Sequence, residues 1–167
     1  EPTDICKLTE NIVAEQRPQI DAKKIRFSFS CDKPIALMQA DPKLLRMVIQ
    51  NILSNAVKYT PDKGKIKLSI TLTDGKKNIM LKSGDSGYGI TKNQHAKIFT
   101  KLFRADNVRD KDTDGTGLGL YIVKSIVDNS GGEVWFESSS AKEKMGTSFY
   151  VSLPMNGMGM GAVNKFI

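Results

Sequence analysis

The sequence predicts an α+β two-layer sandwich: a mixed sheet of about five strands, covered on one face by about three helices, with a mobile lid. Three observations predict it. Apolar residues recur at helical spacing in some segments and alternate strictly in others. These segments run helix and strands, helix, hairpin, loop, helix, hairpin, an order that places helices on one face of a mixed sheet. A polar, charged stretch without periodicity, about 101–116, interrupts them. Loops of that length inside a compact domain are usually functional.

Asp4 to Ile20 reads as an amphipathic helix through Ile5, Leu8 and Ile12, with Thr3 or Asp4 as its cap. Lys24 to Cys31 alternates Ile25, Phe27, Phe29 and Cys31 inward, and Ile35 to Met38 reads as a second, short strand. Asp41-Pro42 opens a helix with Asp at the cap and Pro in the first turn, and Leu44 through Leu53 carry it to about Lys58. Two strands follow, about Lys65–Thr73 and Asn78–Ser83, joined by the turn signal Asp74-Gly75. Lys92 to Phe99 is a short helix. Leu118 to Asn129 is another, stopped by Ser130-Gly131-Gly132, and Glu133–Ser138 and Thr147–Leu153 form the last hairpin.

The chain has 167 residues and 40% hydrophobic composition, which suits one globular domain with a real core. Residues 1–154 are assigned to that domain. The Gly/Met-rich tail 155–167 is expected to be disordered and outside it. No apolar run approaches the ~20 residues that cross a bilayer. The chain opens on Glu rather than Met, so it is expected to be a piece of a longer protein. Cys6 and Cys31 are the only cysteines, and two thiols without metal spacing suggest a reducing compartment. A Cys6–Cys31 bridge has nothing else in its favour. The net charge of +7 fits nucleic acid, an anionic membrane, or phosphates and an acidic partner, and does not choose among them.

Four segments carry chemistry. In Asn51-Ile52-Leu53-Ser54-Asn55-Ala56-Val57-Lys58-Tyr59, residues Asn51, Asn55 and Lys58 or Tyr59 share one helix face. Amide oxygens suit a hard cation such as Mg²⁺ that already holds phosphate, and Lys58 can neutralise phosphate charge. Asp85-Ser86-Gly87-Tyr88-Gly89-Ile90 follows a strand. A carboxylate there can accept from the amino group of a base, and Gly87 and Gly89 let backbone approach a flat ring. Ile98-Phe99-Thr100-Lys101-Leu102-Phe103-Arg104 can dock the near end of the lid and bring Arg104 to phosphates. In Asp114-Gly115-Thr116-Gly117-Leu118-Gly119-Leu120-Tyr121, glycines enter a helix whose free N–H groups form an anion site. Each segment alone also suits a plain polar stripe or turn. Neither a P-loop nor a Rossmann fingerprint is present, since Leu120 stands where the latter needs Gly or Ala.

In order and spacing these segments resemble the N, G1, F and G2 boxes of the sensor histidine kinase catalytic domain, over about Glu1 to Pro154. That family belongs to the ATPase superfamily shared with gyrase, MutL and Hsp90, and the resemblance implies its Bergerat fold. It implies that Asn55 is a Mg²⁺ ligand with Asn51 nearby, and that Lys58 and Tyr59 lie near the phosphates and the ribose or base. It implies that Asp85 binds the adenine amino group, with Gly87, Gly89 and Ile90 beside the base. Arg104, Thr116, Gly117, Leu118, Gly119 and Leu120 are then the phosphate-side lid and helix start. Ser83 and Gly84 depart from the apolar alternation usual before the G1 aspartate, and Leu102 replaces a Phe.

Hydrolysing relatives resemble Glu-x-x-x-Asn in the first segment, and Asn51 stands at the Glu position. An amide is no general base near neutral pH, so no residue is assigned a catalytic proton transfer. The resemblance implies a kinase that positions ATP and Mg²⁺ for transfer to a histidine on a separate dimerisation domain. It also implies a response regulator receiver domain as partner, a cytoplasmic setting, and membrane contact only through other parts of the protein. The only histidine, His95, lacks an acidic neighbour and a following Pro, and is expected to be an exposed bystander. A serine kinase of the anti-sigma-factor type and a non-catalytic nucleotide-binding module are the alternatives. No motif supports nucleic-acid binding, because the lysines lack interleaved aromatic residues.

Overall fold

The computed structural model describes residues 1–32, 35, 37–73, 75, 77–100 and 118–157. The elements are β1 (Pro2–Thr3), α1 (Ile5–Ala22), β2 (Arg26–Cys31), β3 (Met38–Gln39), α2 (Pro42–Tyr59), β4 (Lys65–Thr73) and β5 (Asn78–Asp85). A 3-10 helix (Lys92–Lys97), α3 (Gly119–Asn129), β6 (Glu133–Ser139) and β7 (Gly146–Pro154) follow. The expected lid at 101–116 lies outside the described residues, as do residues 158–167 of the tail.

Five strands form one mixed sheet in the order β2-β4-β5-β7-β6. The β2–β4 pair is parallel and the others are antiparallel. This is the expected sandwich. Along β4, Ile66, Leu68 and Ile70 are buried while Lys65 and Lys67 are exposed, so one face takes the helices and the other meets solvent. Helix α2 buries Leu44, Leu45, Val48, Ile49, Ile52, Leu53, Ala56 and Val57 in the single main core. Spacing of three and four puts all eight on one stripe.

Sequence signals set the helix ends. The Asp4 carboxylate accepts the Lys7 N–H at 3.0 Å, and Asp41 accepts from Lys43 and Leu44 at 2.9 and 3.3 Å. The C-terminus of α2 is held differently. Lys23 Nζ donates to the Val57 and Lys58 carbonyls at 2.7 and 3.3 Å, meeting two of the acceptors a helix end leaves open. Burial lowers the Lys23 pKa, and nearby Asp62 opposes that shift.

Three expectations change. The strand expected at 35–38 shrinks to Met38–Gln39, which pairs with the unexpected β1 in a two-residue ribbon. Met38 is fully buried in the core there and Ile35 packs against it in part, while Leu37 is exposed. The helix expected to reach Phe99 is a 3-10 turn ending at Lys97. The two cysteines are not free thiols: Cys6 and Cys31 are disulfide-bonded, with Cα atoms 6.0 Å apart. Cys6 lies on the buried face of α1 and Cys31 ends β2, so helix-on-sheet packing joins residues 25 apart in sequence. Cysteine usage therefore gives no argument for a reducing compartment. At the other end, Met155 belongs to the fold, donating its N–H to Lys77 and accepting from Gln39 at 2.9 and 3.0 Å. Among the described residues no helix is long and apolar enough to cross a membrane.

Candidate functional site

The centre of the site is the end of β5. Asp85 is the last residue of that strand, opposite Thr147 on β7 and Ile66 on β4. Its carboxylate accepts the Gly87 N–H at 2.8 Å and the backbone N–H of Thr147. Burial nevertheless dominates and pushes its pKa up to about 6, with the two N–H donors pulling the other way. A carboxylate this enclosed, with acceptor capacity to spare, is suited to a neutral donor such as an amino group on a base.

The turn after Asp85 is pinned on two sides. Tyr88 N–H donates to the Tyr59 carbonyl at 3.2 Å, tying the turn to the last residue of α2. A Cβ on Gly87 would lie 2.5 Å from that same carbonyl oxygen. Gly89 has φ of 72°, and a Cβ there would fall on the Ser139 carbonyl. These glycines are therefore fixed by close approach of the protein's own backbone, which the expectation of ring contact alone did not include.

Ile90, expected beside a base, is buried. It forms a small apolar cluster with Ile98, packed by Tyr59, Tyr88, Phe99, Leu120 and Phe136. Its N–H donates to Ser138 Oγ at 2.8 Å, and its carbonyl pairs with His95 Nε2 at 3.0 Å. His95 is thus half-buried against the edge of Phe136, 4.9 Å between ring centroids, rather than an exposed bystander.

On α2, Asn51 donates Nδ2 to the Met47 carbonyl at 2.6 Å and turns Oδ1 toward the start of α3. A Cβ on Gly119 would lie 2.8 Å from that oxygen, so the two helices meet at Asn51 and Gly119. The Asn55 amide makes no hydrogen bond among the described residues. Lys58 is exposed and Tyr59 half-buried. Helix α3 starts at Gly119, after Leu118, with no side-chain cap, and Leu120 packs on the apolar cluster. Arg104, Thr116 and Gly117 lie outside the described residues.

Sequence reading missed Ser138 and Thr147. Ser138 Oγ lies 2.7 Å from Thr147 Oγ1 and also donates to the Gly146 carbonyl at 3.0 Å. One hydroxyl thus links the turn through Ile90 N–H, the hairpin, and the strand position opposite Asp85. The signal was available: both residues hold inward positions in strands that otherwise alternate Val134, Phe136 and Phe149, Val151, Leu153.

The chain fits a nucleotide by its unmet polar groups. Ser83 Oγ, two residues before Asp85 and on the same strand face, is buried without a hydrogen-bond partner among the described residues, and so is Thr60 Oγ1 just beyond α2. Such groups ordinarily find a partner. Together with the Asn55 amide, they offer polar groups to a ligand along the α2 side of the site.

Comparison with known proteins agrees. Residues 40–157 match the family described as "Histidine kinase-, DNA gyrase B-, and HSP90-like ATPase". The adaptive-response sensory kinase SasA of Synechococcus sp. (strain JA-3-3Ab) is 33% identical over 92% of this chain. The alignment spans only 39% of that relative. The mycobacterial sensor histidine kinase MprB superposes with a TM-score of 0.79 at 27% identity, over 95% of this chain and all of that one. Histidine kinase ThkA, solved in complex with the response regulator protein TrrA, superposes at 0.73 and 25% identity, over 93% of this chain and 42% of that one. The chain belongs to this ATPase family, as an ATP-binding catalytic domain of the sensor histidine kinase type.

Two expected results follow. ATP affinity should fall as pH drops through about 6, roughly tenfold per unit below it, because protonated Asp85 no longer offers a free carboxylate. The stability of the ATP-free chain should respond with the opposite sign. A folded pKa raised above the ordinary carboxylate value of 3.8 favours the protonated form, so this contribution is full below 3.8 and is lost as pH rises through about 6. Titration of ATP affinity between pH 5 and 8 checks the first. The second result concerns Ser138→Ala, which strands the Ile90 N–H and should weaken ATP binding roughly tenfold, at about 1–3 kcal/mol for an orphaned donor. Ser138→Thr should keep most of the affinity, as read by a fluorescent ATP analogue.

Proposed function

We propose that this domain binds ATP with Mg²⁺ and presents the γ-phosphoryl group to a histidine on a separate dimerisation domain, as part of a two-component sensor kinase whose further partner is a response regulator. The observation that carries this reading is the pairing of two sites: an enclosed Asp85 at the end of β5 for the base, and the amide-bearing face of α2, where Asn51 turns Oδ1 toward the start of α3, for the phosphates and metal. Asp85 accepts from the adenine amino group, and Gly87, Gly89 and Ile90 shape the floor beside it. Asn55 is the metal ligand, with Asn51 orienting the entry of α3 at Gly119. Lys58, Tyr59, Arg104, Thr116, Gly117, Leu118 and Leu120 complete the phosphate and ribose side. When bound, Mg²⁺ neutralises phosphate charge, and the protein's own share is orientation.

Asn51 stands where a hydrolase carries Glu, and an amide does not activate water. His95 is no acceptor either, since its ring is engaged by Ile90 and Phe136. The test is incubation of the chain with labelled ATP and Mg²⁺, alone and with the dimerisation domain of the parent protein. Acid-labile phosphohistidine is expected on that domain only. Phosphohistidine on the isolated chain, or hydrolysis that outpaces transfer, would sink the proposal.

A further inference from the structure

At the end of the sheet where β5 reaches Asp85, a groove of about 510 Å³ has a basic wall on the solvent face, and Asp85 and Ser86 line it too. Pairing registers place Arg26 beside Lys65, and Lys67 beside Gly84, which in turn faces Ser148. All three cations are exposed, and among the described residues none has a carboxylate partner. Like charges side by side on a sheet oppose folding.

Gly84 is the second observation. Its φ is not positive, and an added Cβ would meet only Ser148 Oγ at 3.4 Å, an ordinary contact. Neither backbone nor packing calls for glycine in the middle strand of the sheet, where it weakens pairing and often marks close approach by a ligand or another chain. Its consequence is a bare groove floor between Lys67 and Ser148. The departure from alternation at Gly84 thus shapes the outer face of the sheet beside Asp85. One row further along, Trp135 stacks on Tyr150 at 5.3 Å, and Lys82 Nζ sits 5.3 Å over the Tyr150 ring, a ledge beside the groove.

We propose that this groove docks a short extended segment of an acidic partner protein, its carboxylates meeting Arg26, Lys65 and Lys67 over the floor left by Gly84. The cationic strip spans β2 to β5, about 10 Å at the usual strand spacing, enough for a few residues. Glu137 and Glu133 on β6 bound it on the far side. That boundary favours a short acidic segment over a polyphosphate strand, which would run on into the carboxylates.

The test uses the chain as it stands and fluorescein-labelled octaglutamate as probe, with anisotropy at 150 mM salt. Lys65→Glu with Lys67→Glu should weaken binding at least tenfold, and Gly84→Val, which fills the floor, at least fivefold. Both variants should keep a cooperative thermal melt, which shows that they fold. Lys7→Glu with Lys43→Glu, an equal change of charge on α1 and α2, should leave binding within twofold. An equal loss in that control pair, no loss in the groove variants, or no binding by the unaltered chain would overturn the proposal. So would tighter binding of octathymidylate through the same residues.

Discussion

Asp85→Asn should weaken ATP binding roughly ten- to a hundredfold while making the ATP-free domain more stable at pH 7.5. The two effects have one cause. The carboxylate's pKa stands near 6 because burial penalises its charge. A rise from 3.8 is about 3 kcal/mol, as an upper figure, of folding free energy spent holding the anion at neutral pH. Asparagine carries no charge and still accepts the Gly87 N–H. The melting temperature should therefore rise by a few degrees, at ~2–4 °C per kcal/mol for a chain of this size. Binding moves the other way, because a charge-assisted hydrogen bond worth about 1.5–3 kcal/mol is lost and an amide N–H₂ can confront the base. Calorimetry with ATP and a thermal melt on the same sample decide it. Unchanged affinity would remove Asp85 from the base site, and a lowered melting temperature would show that the anion is stabilised, not tolerated.

Gly89→Ala should cost about 3–4 kcal/mol and remove ATP binding with it, since a side chain at φ of 72° adds left-handed strain to a collision with the Ser139 carbonyl. Gly75 supplies the control. Its φ of 63° is similar, but nothing lies within 4 Å of an added Cβ, so Gly75→Ala should cost only about 1 kcal/mol. Denaturant melts of the two variants separate collision from conformation. Equal losses would mean that the contact with β6 gives way easily.

Much of the architecture was legible because its signals are local. Asp41-Pro42 marks the start of α2, and alternation in 65–73 gives β4 with the bounds observed. The four motif segments were legible because their order is linear. What escaped depends on pairing between distant residues. Two-residue β1 has too few positions to show a period. The Cys6–Cys31 bridge follows from packing α1 on β2. Ser138 and Thr147 matter because β6 and β7 lie beside β5, an adjacency no single segment reveals. The lysines were read as lacking aromatic neighbours, yet cross-strand register sets Lys82 on Tyr150, 68 positions away.

One carbonyl, that of Tyr59, has a consequence for how the nucleotide is sensed. It terminates the helix carrying Asn51 and Asn55, and it anchors the turn that follows Asp85. The helix that would grip metal and the turn that would frame the base are therefore hinged at a shared rivet, next to the Val57 and Lys58 carbonyls that Lys23, just past α1, holds. A ligand that occupies only one half should still stiffen the other. Adenosine alone should then slow amide exchange along the last turn of α2, as if part of the phosphate grip had already been set.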